Sequence, residues 1–136
     1  MNDLHKFFDQ YQKANENFDI DLIGMLYGDN FLFGQPQGVQ SVTKVGFLSV
    51  LPKRKTFFQT IGLKSSKIHA IEVKELDAHY IEANVQWKMY FEKGDKKSEH
   101  LSLTTYILYK RKDSYEIVGQ IDHQDLMEKV KELGLL

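Results

Sequence analysis

Apolar positions recur at helical spacing through the first half of the chain and alternate with polar ones through the second. Leu4, Phe7, Phe8 and Tyr11 fall at i, i+3, i+4 and i+7, one face of an amphipathic helix. A second helix is expected from Asp19, a suitable N-cap, with Leu22, Ile23, Leu26 and Tyr27 inward and Gly28-Asp29-Asn30 stopping it. Phe31-Leu32-Phe33 reads as a short strand, closed by the loop Gly34-Gln35-Pro36-Gln37-Gly38. From about Ser41 a third helix is expected to bury Val42, Val45, Leu48 and Phe47, and Pro52 ends it or begins a further turn holding Phe57 and Phe58. Four long strands follow, roughly 64–75, 79–91, 98–111 and 115–123, joined by the polar turns Leu76-Asp77-Ala78, Lys93-Gly94-Asp95-Lys96 and Lys112-Asp113-Ser114. Leu126, Met127, Val130 and Leu133 mark a closing amphipathic helix that ends at Gly134.

Hairpin symmetry extends this to the faces of the sheet, because a shift of one residue exchanges them. Centring the second hairpin near Gly94-Asp95 sets Trp87 opposite Leu103 and Val85 opposite Thr105. Centring the third at Asp113 sets Leu103 opposite His123 and Thr105 opposite Ile121. One face then carries Val85, Trp87, Met89, Leu103, Thr105, Ile107, Gly119, Ile121 and His123, and is expected to meet the helices. The other carries Asn84, Gln86, Tyr90, Thr104, Tyr106, Gln120 and Asp122, a half-wet surface suited to pairing.

Composition narrows the classes of function. A chain of 136 residues with 42% hydrophobic and 12% aromatic content reads as a single domain over 1–136, burying roughly two thirds of its unfolded surface. The formal net charge of −1 and the lack of a basic stripe give a nucleic-acid backbone nothing to bind. Lys53, Arg54 and Lys55 form the densest cationic cluster and are expected at a solvated helix start. With zero cysteines, disulfides, thiolate catalysis and cysteine-based zinc sites fall away. No apolar run approaches the ~18 residues of a membrane span, and MNDLHKFFDQ carries acid without a signal-type apolar core. A soluble, cytoplasmic protein is expected, without membrane or nucleic-acid partners.

Three stretches carry a family resemblance. Asn17-Phe18-Asp19-Ile20-Asp21-Leu22-Ile23-Gly24-Met25-Leu26-Tyr27, then Phe31 to Gly38, then Tyr106-Ile107-Leu108-Tyr109 with Tyr115-Glu116-Ile117-Val118, are similar to the capped helix, the strand with its aspartate-proline loop, and the closing hairpin of the NTF2-like superfamily. That superfamily includes the SnoaL-like polyketide cyclases and the ketosteroid isomerases. The resemblance covers nearly the whole chain. It implies an α+β, cone-shaped NTF2-like (cystatin-like) fold, with N-terminal helices packed in a strongly curved antiparallel sheet around a mostly apolar pocket. It also implies a homodimer through the outer sheet face. Fold alone does not supply function.

Ketosteroid-isomerase chemistry needs a carboxylate base, plus a tyrosine and a protonated carboxylic acid as oxyanion donors. Tyr11, eight residues before Asp19, matches the tyrosine. The base position holds Gln35, whose amide takes no proton at neutral pH, and the acid position falls at Thr105, a weaker donor. His123 is the histidine that the expected register places on the inner face near its rim. His79 shares that face by parity, His100 falls on the other, and His5 and His69 are exposed. No histidine pair has metal-ligand spacing, and no glycine-rich phosphate cradle or serine elbow is present. No metal or cofactor is expected.

The best-supported expectation is a small-molecule-binding protein with an apolar or aromatic pocket and no clear catalytic apparatus. Tyr27, Phe33, Phe47, Phe57, Phe58, Trp87 and Met89 supply its apolar wall, and Tyr11, Gln35, Thr105 and His123 orient the ligand. One alternative is a SnoaL-like cyclase, isomerase or dehydratase using Tyr11 and His123 as acid–base groups. A second is a dimeric protein-interaction module whose cone is filled.

Overall fold

The computed structural model describes residues 2–135. In chain order the elements are α1 (Asn2–Glu16), α2 (Ile20–Leu26), β1 (Tyr27–Gln35), β2 (Gly38–Thr43), α3 (Lys44–Thr60), β3 (Leu63–Glu75), β4 (Tyr80–Lys93), β5 (Lys96–Lys110), β6 (Tyr115–Asp122) and α4 (Leu126–Glu132). Leu4, Phe7, Phe8, Tyr11 and Ala14 are all buried on one face of α1, as the helical period requires. The Asp19 carboxylate caps α2 by accepting from the Leu22 N–H at 3.1 Å, and the Thr43 hydroxyl caps α3 by accepting from the Gly46 N–H at 3.1 Å.

The sheet runs β2-β1-β6-β5-β4-β3. Every neighbouring pair is antiparallel except β1 with β6, which is parallel. One face wraps α1, α2 and α3 around a main core that includes Phe8, Ile23, Tyr27, Val85, Tyr106, Leu108 and Ile117. A second cluster closes the far end, where Val130 and Leu135 pack with Ile61, Met89 and Phe91 beneath α4.

Gly62 links α3 to the sheet with φ +79°, and a Cβ there would stand 2.4 Å from the Glu92 carbonyl oxygen. Only glycine combines that left-handed backbone with so close an approach. The Gly62 carbonyl accepts from the Glu92 N–H at 2.8 Å, pinning the end of α3 to β4.

Three local expectations are corrected. The segment from Gly38 to Thr43 is a strand, so the expected loop narrows to a hairpin turn at Pro36-Gln37, and the third helix begins at Lys44. Val45 on that helix is 80% exposed rather than buried. Pro52 lies inside α3 without ending it, which places Lys53, Arg54 and Lys55 in mid-helix rather than at a start.

The larger correction is in register. The β4–β5 turn is a two-residue turn with Lys93 opposite Lys96, which sets Trp87 opposite Ser102 and Val85 opposite Thr104. Gly94 has φ +60°, as the first central position of a II′ turn requires. The β5–β6 pairing is the expected one, with Thr105 opposite Ile121. The combined effect is a one-residue slip that exchanges the faces of β5 and β6 relative to β4. Ser102, Thr104, Tyr106, Gln120 and Asp122 face inward with Trp87 and Met89. Leu103, Thr105, Ile107, Ile121 and His123 face outward. His100, paired with Met89, is turned inward beneath α4 rather than outward, and His79 is exposed ahead of β4.

Candidate functional site

The concave face leaves a cavity of about 590 Å³ between α1, α3 and the inner side of β3–β6, within the size range of small-molecule sites. Tyr11 from α1, Leu51 and Phe58 from α3, Trp87 and Met89 from β4 and Tyr106 from β5 give it apolar walls. Ser102, Thr104, Gln120 and Asp122 add polar groups from β5 and β6. Phe18 stands at the rim with φ +47°, an unusual conformation for a bulky residue, and its ring centroid is 6.3 Å from that of Phe58.

A hydrogen-bonded chain of hydroxyls runs through the cavity's back wall. The Tyr106 hydroxyl donates to the Tyr11 oxygen at 3.1 Å, the Tyr11 and Tyr27 hydroxyls lie 2.7 Å apart, and Tyr27 donates to the Gln120 Oε1 at 2.5 Å. Each phenol has one proton. Tyr27 spends its own on Gln120, so the proton between Tyr11 and Tyr27 belongs to Tyr11. Gln120 Nε2 then donates to Asp122 Oδ1 at 3.3 Å, and the Thr104 hydroxyl donates to the same oxygen at 3.2 Å. The polarity of the whole chain is thereby set: protons point from Tyr106 through Tyr11 and Tyr27 towards the Asp122 carboxylate.

Burial is the main cause that raises the pKa of each of the three phenols, well above the ordinary value for Tyr27 and Tyr106. The negative charge of Asp122 pushes Tyr11 and Tyr106 the same way, while the hydrogen bonds with Tyr106 and Tyr27 and the Arg54 charge partly offset the rise at Tyr11. All three hydroxyls therefore stay protonated at neutral pH. With its proton committed to Tyr27 and its oxygen accepting from Tyr106, the Tyr11 hydroxyl has no proton left to give a ligand.

Of the residues expected at the site, Tyr11, Phe58, Trp87 and Met89 line this cavity. Tyr27 sits behind Tyr11 in the chain of hydroxyls, 2% exposed. Phe47 packs against Tyr27 and Phe31, with ring centroids 4.8 and 5.2 Å away, and Phe33 is packed against the main core. Phe57 packs against the cluster under α4. Gln35 is exposed at the end of β1, away from the cavity. Thr105 and His123 are on the outer face, where Thr105 accepts from His123 Nε2 at 2.7 Å and donates to Asn84 Oδ1 at 2.6 Å. Slot by slot, the expected orienting groups Thr105 and His123 are replaced by Thr104 and Asp122. The sequence reading missed Tyr106, Gln120 and Asp122 for the same one-residue reason, and the two-residue span of the Gly94-Asp95 turn was the signal that would have recovered them. Among the described residues no group of three His, Cys, Asp or Glu side chains is arranged to hold a metal ion, and no helix is long and apolar enough to cross a membrane.

No family model matches the chain, and no curated protein does. Solved structures do. An NTF-2 like protein of unknown function from Shewanella oneidensis MR-1 superposes with TM-score 0.71 over 90% of this chain and 98% of its own, at 15% identity. The fold is NTF2-like. An NTF2-like protein with a cystatin-like fold from Novosphingobium aromaticivorans gives TM-score 0.74 at 8% identity, covering 97% and 86% of the two chains. ActVI-ORFA from Streptomyces coelicolor gives 0.71 at 12% identity, covering 91% and 96%. At such identities the NTF2-like likeness is one of architecture, and the chemistry has to be argued from this chain's own cavity.

Proposed function

We propose that this NTF2-like chain binds a small, largely apolar or aromatic molecule inside the cone. The observation that carries the reading is the cavity of about 590 Å³, walled by Tyr11, Phe58, Trp87 and Met89 and backed by a polarised run of hydroxyls. A domain of this size that needed only a core would close such a space, because an unfilled void forfeits packing energy. The test is native mass spectrometry of the purified protein, followed by denaturation and extraction, alongside titration with N-phenyl-1-naphthylamine. A released molecule at one per subunit, or probe binding that Ser102→Trp abolishes by filling the cavity, supports the reading. A bare protein that also ignores the probe overturns it.

A second reading, acid–base catalysis, is favoured by one observation: the Asp122 carboxylate shares the cavity with the Tyr11 hydroxyl. On this reading Asp122, rather than His123, takes a proton from the ligand, because His123 is on the other side of the sheet. Asp122→Asn would then abolish turnover while leaving binding measurable. We also propose a homodimer through the outer sheet face, supported by the exposed Leu32, Leu101, Leu103 and Ile121, which the register gathers on that face. An apolar patch of this kind is usually covered. Ile121→Lys should halve the mass found by sedimentation, and a wild type that sediments as a monomer sinks this part.

A further inference from the structure

Charges of both signs border the cavity. Arg54 and Lys55 from α3 and Lys64 from the start of β3 line it, beside the carboxylates of Glu16 and Asp122. Among the described residues none of these three cations forms an ion pair. Two of them are seated on aromatic rings: the Arg54 guanidinium carbon is 5.1 Å from the Phe58 ring centroid, and the Lys55 ammonium 5.8 Å from that of Phe18. Such seating holds the charges at the wall instead of leaving them to sweep through solvent. The Arg54 charge is felt as far inside as Tyr11 and Tyr27. A low-dielectric cleft with unpaired cations concentrates anions.

The polar wall asks for the opposite. Tyr11 has no proton to spare, and Asp122 keeps one carboxylate oxygen, Oδ2, that no described side chain bonds. That oxygen is an acceptor, so a group docking on it has to donate.

Resting on the binding reading above, we infer that the ligand is an aromatic acid: an apolar ring system with an anionic carboxylate meeting Arg54 and a hydroxyl donating to Asp122. An uncharged hydrocarbon leaves the cations unanswered, and a ligand with a carbonyl acceptor aimed at Asp122 meets only its lone pairs.

A four-compound set separates the terms: 6-hydroxy-2-naphthoic acid, 2-naphthoic acid, 2-naphthol and naphthalene. Each is titrated against the intact protein, with the quenching of Trp87, the single tryptophan, as the readout. The acid is expected to bind about fivefold tighter than its uncharged counterpart, the scale of one partly solvated ion pair. The hydroxyl should add about another fivefold, that of one net hydrogen bond. Arg54→Gln should erase the advantage of the acids and leave 2-naphthol unchanged. Asp122→Asn should erase the advantage of the hydroxyl, and circular dichroism of both variants confirms that they fold. If 2-naphthol and naphthalene bind as well as the acids, or if Arg54→Gln weakens all four compounds equally, the anionic assignment is overturned while the cavity reading stands. If none of the four quenches Trp87, the cavity reading falls with it.

Discussion

Removing the Tyr27 hydroxyl should destabilise the protein more than removing that of Tyr106, although both rings are buried to the same extent, each 2% exposed. The difference follows from position in the hydrogen-bonded chain. Tyr27 is in the middle: it accepts from Tyr11 at 2.7 Å and donates to Gln120 at 2.5 Å. Tyr27→Phe strands the Tyr11 proton and the Gln120 carbonyl oxygen together, and each stranded buried group costs about 1–3 kcal/mol. The sum is about 3 kcal/mol, with cooperativity along the chain adding to it. Tyr106 is the donor end, making one longer bond of 3.1 Å to Tyr11. Tyr106→Phe leaves unmet only a lone pair on the Tyr11 oxygen, which still donates to Tyr27, and strands no donor of the chain, so about 1 kcal/mol is expected. Urea denaturation followed by Trp87 fluorescence reads this directly. With a slope of about 2 kcal/mol per molar urea for a chain of this size, the midpoint should fall by about 1.5 M for Tyr27→Phe and about 0.5 M for Tyr106→Phe. Equal shifts, or the reverse order, would refute the assigned direction of the chain.

Two further outcomes are expected. Gly62→Ala places a Cβ 2.4 Å from the Glu92 carbonyl oxygen at φ +79°, so it should cost about 2 kcal/mol or more and lower the melting temperature by about 6 °C. His100 is 9% exposed; burial, and next the nearby Lys129 charge, hold its pKa below the ordinary value, while Gln124 and Glu132 oppose the shift. The unfolded chain therefore binds a proton at His100 more readily than the folded one, so stability is fully present above about pH 6.5 and is lost as pH falls through the lowered folded value. Melting curves from pH 7.5 down to 5 should show that loss, and His100→Gln should remove the part due to this side chain.

Helices were legible wherever one face alone was apolar. The spacing of Leu4, Phe7, Phe8 and Tyr11 has a single solution, and so does the capped start at Asp19, where the carboxylate accepts from Leu22. Strand β2 was not legible, since Gly38-Val39-Gln40-Ser41-Val42-Thr43 has little of its surface buried, and pattern reading detects burial. The cations of α3 were misplaced for a related reason. Pro52 reads as a boundary, yet a proline can be carried inside a helix whose neighbouring residues are packed, as Leu51 is at 4% exposure.

Strand β5 shows why the fold could be read and the site could not. Around Leu103 both of its faces carry apolar residues: Leu101 and Leu103 turn outward, 43% and 41% exposed, while Tyr106 and Leu108 turn inward and are buried. A strand apolar on both sides has no phase, so hydrophobicity cannot choose between the two registers, and only the two-residue turn at Gly94 does. The rule that polar residues face water then misleads on β6, where Gln120 and Asp122 point into the cone and Ile121 points out of it. That inversion is itself informative. Polar groups on an inner wall are stable only if something solvates them, and apolar groups on an outer wall are usually covered. Within the cone the chain's own hydroxyls and amide answer part of that demand at Gln120 and Asp122; on the readings proposed above, a ligand answers the rest and a second copy of the chain covers the outer wall. Local rules give way at such surfaces because the pattern of a single chain leaves out what completes them.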